Sequence, residues 1–141
     1  MNIIRKFTGK YNFLSNYYEH NFKYGGHMFR NSEAAFQSQK DPTKSHKFVN
    51  LSANDAKSLG HKVKLRSDWE TVKDSIMEDV LRAKFSDKCL KDKLMATHPC
   101  KLFEGNTCGD MYWGIDIDLG IGENKLGKIL MKLRSEYINE L

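Results

Sequence analysis

DWETVKDSIMEDVLRAKF, residues 68–85, contains neither proline nor glycine and repeats its apolar residues at helical spacing. With Trp69 set at 0° and about 100° per residue, Val72 falls near 300°, Ile76 near 340°, Val80 near 20°, Met77 near 80° and Leu81 near 120°. One apolar arc of this width predicts a long amphipathic helix from about Asp68 to Phe85 that buries a single face. Two lysines interrupt the arc, Lys73 at about 40° and Lys84 at about 60°. Lys84 stands near the helix end and reads as a side chain whose stem lies on the core while its ammonium group reaches water. Lys73 allows the same reading, but it also allows a partly desolvated pocket. There the ammonium form is disfavoured and the amine becomes a candidate nucleophile.

Working outward, a shorter helix is expected from Lys88 to Ala96, closed by Pro99. A final helix from about Asn124 to Asn139 carries the stripe Leu126, Ile129, Leu130, Leu133 and Tyr137. Upstream, Ser52 caps a helix ended by Gly60, and the alternation in KVKL suggests a short strand over residues 62–65. Ser32 can cap a helix from Glu33 to Lys40, which Pro42 stops, followed by a helical piece from Thr43 to Val49. The first thirty residues are rich in aromatics, and Gly25-Gly26 is a two-residue hairpin signal, so a small N-terminal β-sheet is expected. No linker or repeat interrupts residues 1–141. The fold class is therefore α+β, a single and mostly helical domain.

Composition narrows the function classes. A chain of 141 residues with 40% hydrophobic and 29% charged residues is neither disordered nor fibrous. No apolar run approaches the roughly 20 residues of a membrane span, and MNIIRKFTGKY lacks the apolar core of a signal peptide, so a cytoplasmic protein is expected. Cys89, Cys100 and Cys108 show no CxxC spacing, and His98 supplies no paired ligands, so neither a metal nor a cofactor is expected. The net charge of +5 lies in the first two thirds, with 13 basic against 9 acidic residues between Lys40 and Cys100. Such a surplus favours phosphate-bearing ligands.

The segment SEAAFQSQK, residues 32–40, is the second anomaly. At about 100° per residue from Glu33, Phe36 lies at about 300°, Gln37 at about 40° and Lys40 at about 340°. An acid, an amide and an amine therefore share a stripe with an aromatic ring. A solvated helix face explains this simply; a pocket with Glu33 as general acid or base explains it functionally. Further on, YWGIDIDLGIGENKLG sets Tyr112 and Trp113 before a glycine-rich loop and a helix start. Rings there could stack on a base, or Trp113 could belong to the core.

The order of these blocks resembles one family, the NADAR domain proteins. The resemblance runs through FLSNYY, SEAAFQSQK, DWETVK continuing to AKF, LMATHPCKLFE, YWG and GENKLGKILMKLR, covering nearly the whole chain. It implies hydrolysis of an N-glycosidic bond between ribose C1 and an exocyclic amine of a base. The substrate would be a phosphorylated ribosylaminouracil intermediate of riboflavin synthesis or ADP-ribose attached to guanine in nucleic acid. By the same resemblance Glu33 is the general acid or base and Lys73 or Lys40 the amine. Ser15, Asn16, Gln37, Asp110, Trp113, Gly114 and Asn124 bind substrate, and no cofactor takes part. Ala34 stands where the family usually has His, and His61 where Arg is usual. The alternative from another class is a non-catalytic module that binds ADP-ribose, a nucleotide or nucleic acid.

Overall fold

A computed structural model describes residues 2–141. In chain order the elements are β1 (Ile3–Ile4), a 3-10 helix Gly9–Leu14, β2 (Phe22–Tyr24), β3 (His27–Phe29), α1 (Ser32–Ser38), a 3-10 helix Pro42–Phe48, α2 (Ala53–Gly60), α3 (Trp69–Lys84), α4 (Lys88–Ala96), β4 (Lys101–Leu102), β5 (Gly105–Asn106), β6 (Ile115–Asp116) and α5 (Lys125–Asn139). The class is α+β, about half helical. The chain forms two compact units, Asn16–Ser86 and residues 2–15 together with Asp87–Leu141. No linker marks either join, because Ser15 and Asn16, like Ser86 and Asp87, are consecutive in uninterrupted sequence.

In the unit Asn16–Ser86, β2 and β3 form the expected hairpin, with Phe22 opposite Phe29. Gly25 and Gly26 take φ of 57° and 84°, the left-handed values that a primed two-residue turn requires. The N-cap of α1 is Asn31 rather than Ser32. Asn31 Oδ1 accepts from Ala34 N at 2.7 Å, while its Nδ2 donates to Glu19 Oε2 at 2.9 Å and to Leu51 O at 3.2 Å. Ser32 is instead the first helical residue, and its hydroxyl donates to Asn16 Oδ1 at 2.7 Å. Because Asn31 is fully buried and satisfies three partners, Asn31→Ala is expected to cost about 2 kcal/mol or more, measurable by urea denaturation.

Two local expectations give way, the strand at residues 62–65 and the strand character of the aromatic N-terminus. Residues 62–65 form no strand, since Lys62 N and Val63 N both bond back to Leu59 O and continue the last turn of α2. The helical piece expected over residues 43–49 is present as a 3-10 helix over residues 42–48, started by Asp41 Oδ1 accepting from Thr43 N. The aromatic N-terminus is only partly strand. Gly9–Leu14 is 3-10 helix with Phe13 and Leu14 buried, and β1 pairs in parallel with β4 about a hundred residues away. Aromatic residues fit a pleated surface only where one exists to pack on.

In the other unit, Asp87 caps α4 by accepting from Leu90 N at 3.0 Å. Helix α5 buries Leu126, Leu130, Leu133 and Tyr137, as the stripe foretells. Arg134 is buried among them, and its Nη1 donates to Thr97 Oγ1 at 2.9 Å and Cys100 O at 2.8 Å. These bonds tie α5 to the end of α4. Among the described residues no helix is long and apolar enough to cross a membrane.

Candidate functional site

Helix α1 is not a surface helix. Ser32 and every residue from Ala34 to Ser38 are buried, which overturns the solvated-face reading of SEAAFQSQK. Glu33 and Gln37, four residues apart, meet directly, with Gln37 Nε2 donating to Glu33 Oε2 at 2.7 Å. Lys40, just past the helix, holds its amine 5.9 Å from the centre of the Trp69 ring, and that ring packs against Phe36 at 5.0 Å. Burial lowers the Lys40 pKa; the Glu33 carboxylate opposes that shift, and the neighbouring charge of Lys57 adds to it. Acid, amide, amine and two rings therefore gather here.

Asn16 fixes where this group sits. Its backbone oxygen accepts from Glu33 N at 3.0 Å, its Oδ1 accepts from Ser32, and its Nδ2 donates to Met77 Sδ of α3 at 3.6 Å. It is itself buried, so in this structure its amide ties the start of α1 to α3.

The two lysines of α3 differ in their surroundings. Lys73 keeps 18% of its side chain exposed and donates to both carboxylate oxygens of Glu70, at 3.0 and 3.1 Å. Its amine is engaged one turn back on its own helix. Lys84, expected to reach water, is only 1% exposed. Its amine lies 5.6 Å from the Tyr18 ring centre and 5.2 Å from that of Phe85, and burial lowers its pKa to about 7. The end of the helix gave the wrong cue. Phe85, the C-cap, is fully buried, so the chain is still inside the protein where α3 stops. The angular position of Lys84, between Val80 and Met77, was the signal that pointed to this.

The remaining sequence-derived residues lie in the other unit. Asp110 Oδ1 accepts from Tyr112 N at 3.1 Å and from Trp113 N at 3.0 Å, a side-chain turn that presents two rings packed edge to face at 4.9 Å. Asn124, buried and at φ 53°, uses both ends of its amide on backbone, accepting from Glu104 N at 3.0 Å and donating to Leu102 O at 2.9 Å. Its side chain thus holds the chain entering α5 rather than presenting a free group to ribose. At Gly114 a Cβ would overlap the Glu104 carboxylate and backbone, and Asn106 Nδ2 donates to that same carboxylate at 2.9 Å. Glycine at 114 is a condition for Glu104 to sit where it does. Trp113 is half-buried, and Ser15 ends the first 3-10 helix, its N–H donating to Asn12 O. Among the described residues no three His, Cys, Asp or Glu side chains are grouped to hold a metal ion.

Sequence reasoning missed Lys84 as a buried amine, the cap at Asn31, and the close approach of Gly60 to Gln37, where a Cβ would overlap the amide. The burial of Lys84 and the approach of Gly60 to Gln37 depend on residues distant in sequence, whereas the cap at Asn31 is made three residues on, at Ala34 N.

The chain is similar to proteins of known family. It is 37% identical over 142 residues to a Shigella flexneri protein named N-glycosidase YbiA, covering 92% of this chain and 84% of that one. An Escherichia coli protein of the same name is 47% identical over 77 residues, 54% of this chain and 47% of that protein. A Vibrio vulnificus riboflavin biosynthesis protein is 34% identical over 88% of this chain but only 35% of its own length. The solved NMR structure of E. coli YbiA superposes with a TM-score of 0.87 at 35% identity, covering 99% of this chain and 86% of that one. The NADAR domain model matches residues 4–137, and the chain belongs to the NADAR domain family.

Proposed function

We propose that this protein, a single domain of 141 residues, is an N-glycosidase that releases ribose C1 from the exocyclic amine of a base, with Lys84 as the amine and Glu33 as the acid–base group. The names of its relatives support a glycosidase-type enzyme. The observation that carries the mechanism is the fully buried Lys84 amine, its pKa lowered to about 7, in the same unit as the hydrogen-bonded Glu33 carboxylate. An ordinary lysine near pKa 10.5 offers fewer than about one neutral amine in a thousand at pH 7; one near 7 offers about half.

The substrate is an aminal, and its ribose opens to an imine at C1. The neutral Lys84 amine adds to that carbon, and the Glu33 carboxylate takes the proton shed by the adding nitrogen and passes it to the departing exocyclic nitrogen of the base. A Schiff base between Lys84 and the sugar remains. Water then adds to C1, Glu33 takes its proton, and the C–N bond to Lys84 breaks to regenerate the amine and release the sugar. The half-buried Tyr18 ring is what a ribose displaces to reach the amine. Phosphate on the substrate draws on the exposed lysines 44, 47, 57, 62 and 64 of the same unit.

The fitting substrates are ADP-ribose on guanine and a phosphorylated ribosylaminouracil. Incubation with an ADP-ribosylated guanine oligonucleotide and with the ribosylaminouracil phosphate is expected to release sugar from at least one. Borohydride added during turnover should leave a reduced sugar adduct on Lys84 by peptide mass mapping. An active enzyme with an unmodified Lys84 overturns the amine route in favour of direct water attack. The exposed lysines also favour a second reading, a binding module. Affinity falling steeply with salt, without product from either substrate, would establish it.

A further inference from the structure

Gln37 is only 5% exposed, and its two polar ends meet opposite fates. Nε2 donates to Glu33 at 2.7 Å, whereas Oε1 is buried and accepts no hydrogen bond among the described residues. That oxygen is pressed against Gly60 at the end of α2, where a Cβ on residue 60 would overlap Oε1 and its carbon. A carbonyl buried in this way is a cost to the fold, with only a Cα–H contact to soften it. The reverse orientation is worse, because it would set the amide oxygen against a carboxylate oxygen and two N–H donors against the glycine.

We infer that Gln37 is a positioning residue for Glu33, clamped by the bare backbone of Gly60 so that its amide can only donate to the carboxylate. The role differs from substrate binding, since Nε2 is engaged by Glu33 and Oε1 faces the backbone of Gly60. It rests on the reading of Glu33 as the acid–base group. The clamp fixes which carboxylate oxygen the amide engages, Oε2. It also holds the carboxylate in its ionised form, since an N–H donated to the charged form favours that form.

Gln37→Met separates this role from a structural one. The change preserves length and alters no charge, so Lys40 acts on Glu33 as before. It removes the orphaned oxygen together with the donor. Thermal melting should therefore rise by about 3 °C, while kcat falls at least tenfold with KM changed less than threefold. The Glu33 carboxyl, followed by 13C NMR, should titrate about one pH unit higher than in the wild type. Gly60→Ala should lower kcat similarly but lower the melting temperature; adding Gln37→Ala should restore melting but not kcat. A Glu33 midpoint unmoved in Gln37→Met overturns the clamp. A midpoint that moves while turnover persists upholds the clamp and instead removes Glu33 from the chemistry.

Discussion

Lys84→Met is expected to lower sugar release by about a thousandfold or more and to make the protein more stable at neutral pH. Loss of a covalent nucleophile cannot be offset by its neighbours, because Lys73 is held by Glu70 and Lys40 lies against Trp69. The gain in stability has a definite sign. The folded-state pKa of Lys84, about 7, lies below the 10.5 of an ordinary lysine. Between those values the unfolded chain binds more protons than the folded one, so stability from this group rises with pH across that window. Below about pH 7 the folded protein carries the whole penalty of a buried charge. Methionine fills the same volume without that charge, so the melting temperature should rise by about 5 °C at pH 6 and the gain should fade towards pH 10. Lys73→Met is the control and should leave turnover within about twofold, an exposed ion pair being worth little. If Lys84→Met hydrolyses substrate at the wild-type rate, the amine route is wrong.

Glu33→Gln is the second large effect. The carboxamide keeps the shape of the side chain and can still meet Gln37, but it cannot carry a proton to the departing base or from the attacking water. A loss of about 10² to 10⁴ in kcat is expected, with the circular dichroism spectrum unchanged. The two losses should not add. Lys84 and Glu33 serve one intermediate, so the double variant should be little slower than the slower single variant. Full activity in Glu33→Gln would remove this carboxylate from catalysis.

How far such residues can be read from sequence is clear from particular cases. Glu33, Gln37 and Lys40 were legible as a group because helical spacing alone places them on one stripe; in the structure Gln37 is buried, while Glu33 and Lys40, the latter just past α1, are half-buried. The hairpin at Gly25-Gly26 and the cap at Ser52 were legible for the same reason, each being settled within four residues. Helix α3 came out within one residue at each end, yet Lys84, read as reaching water, is enclosed. Periodicity gives an angle around a helix, not how far the protein extends beyond the helix end.

The sequence by itself therefore determined the helices, the Gly25-Gly26 hairpin and the family, since these follow from local spacing and from blocks in a fixed order. Tertiary structure alone decided that Lys84 is enclosed and that Gly60 leaves space for the amide of Gln37. The division has a physical cause. Backbone conformation answers to neighbours a few residues away, whereas desolvation and close approach are set by whichever distant side chains close over a group. The charge state of a lysine depends on the second kind of information.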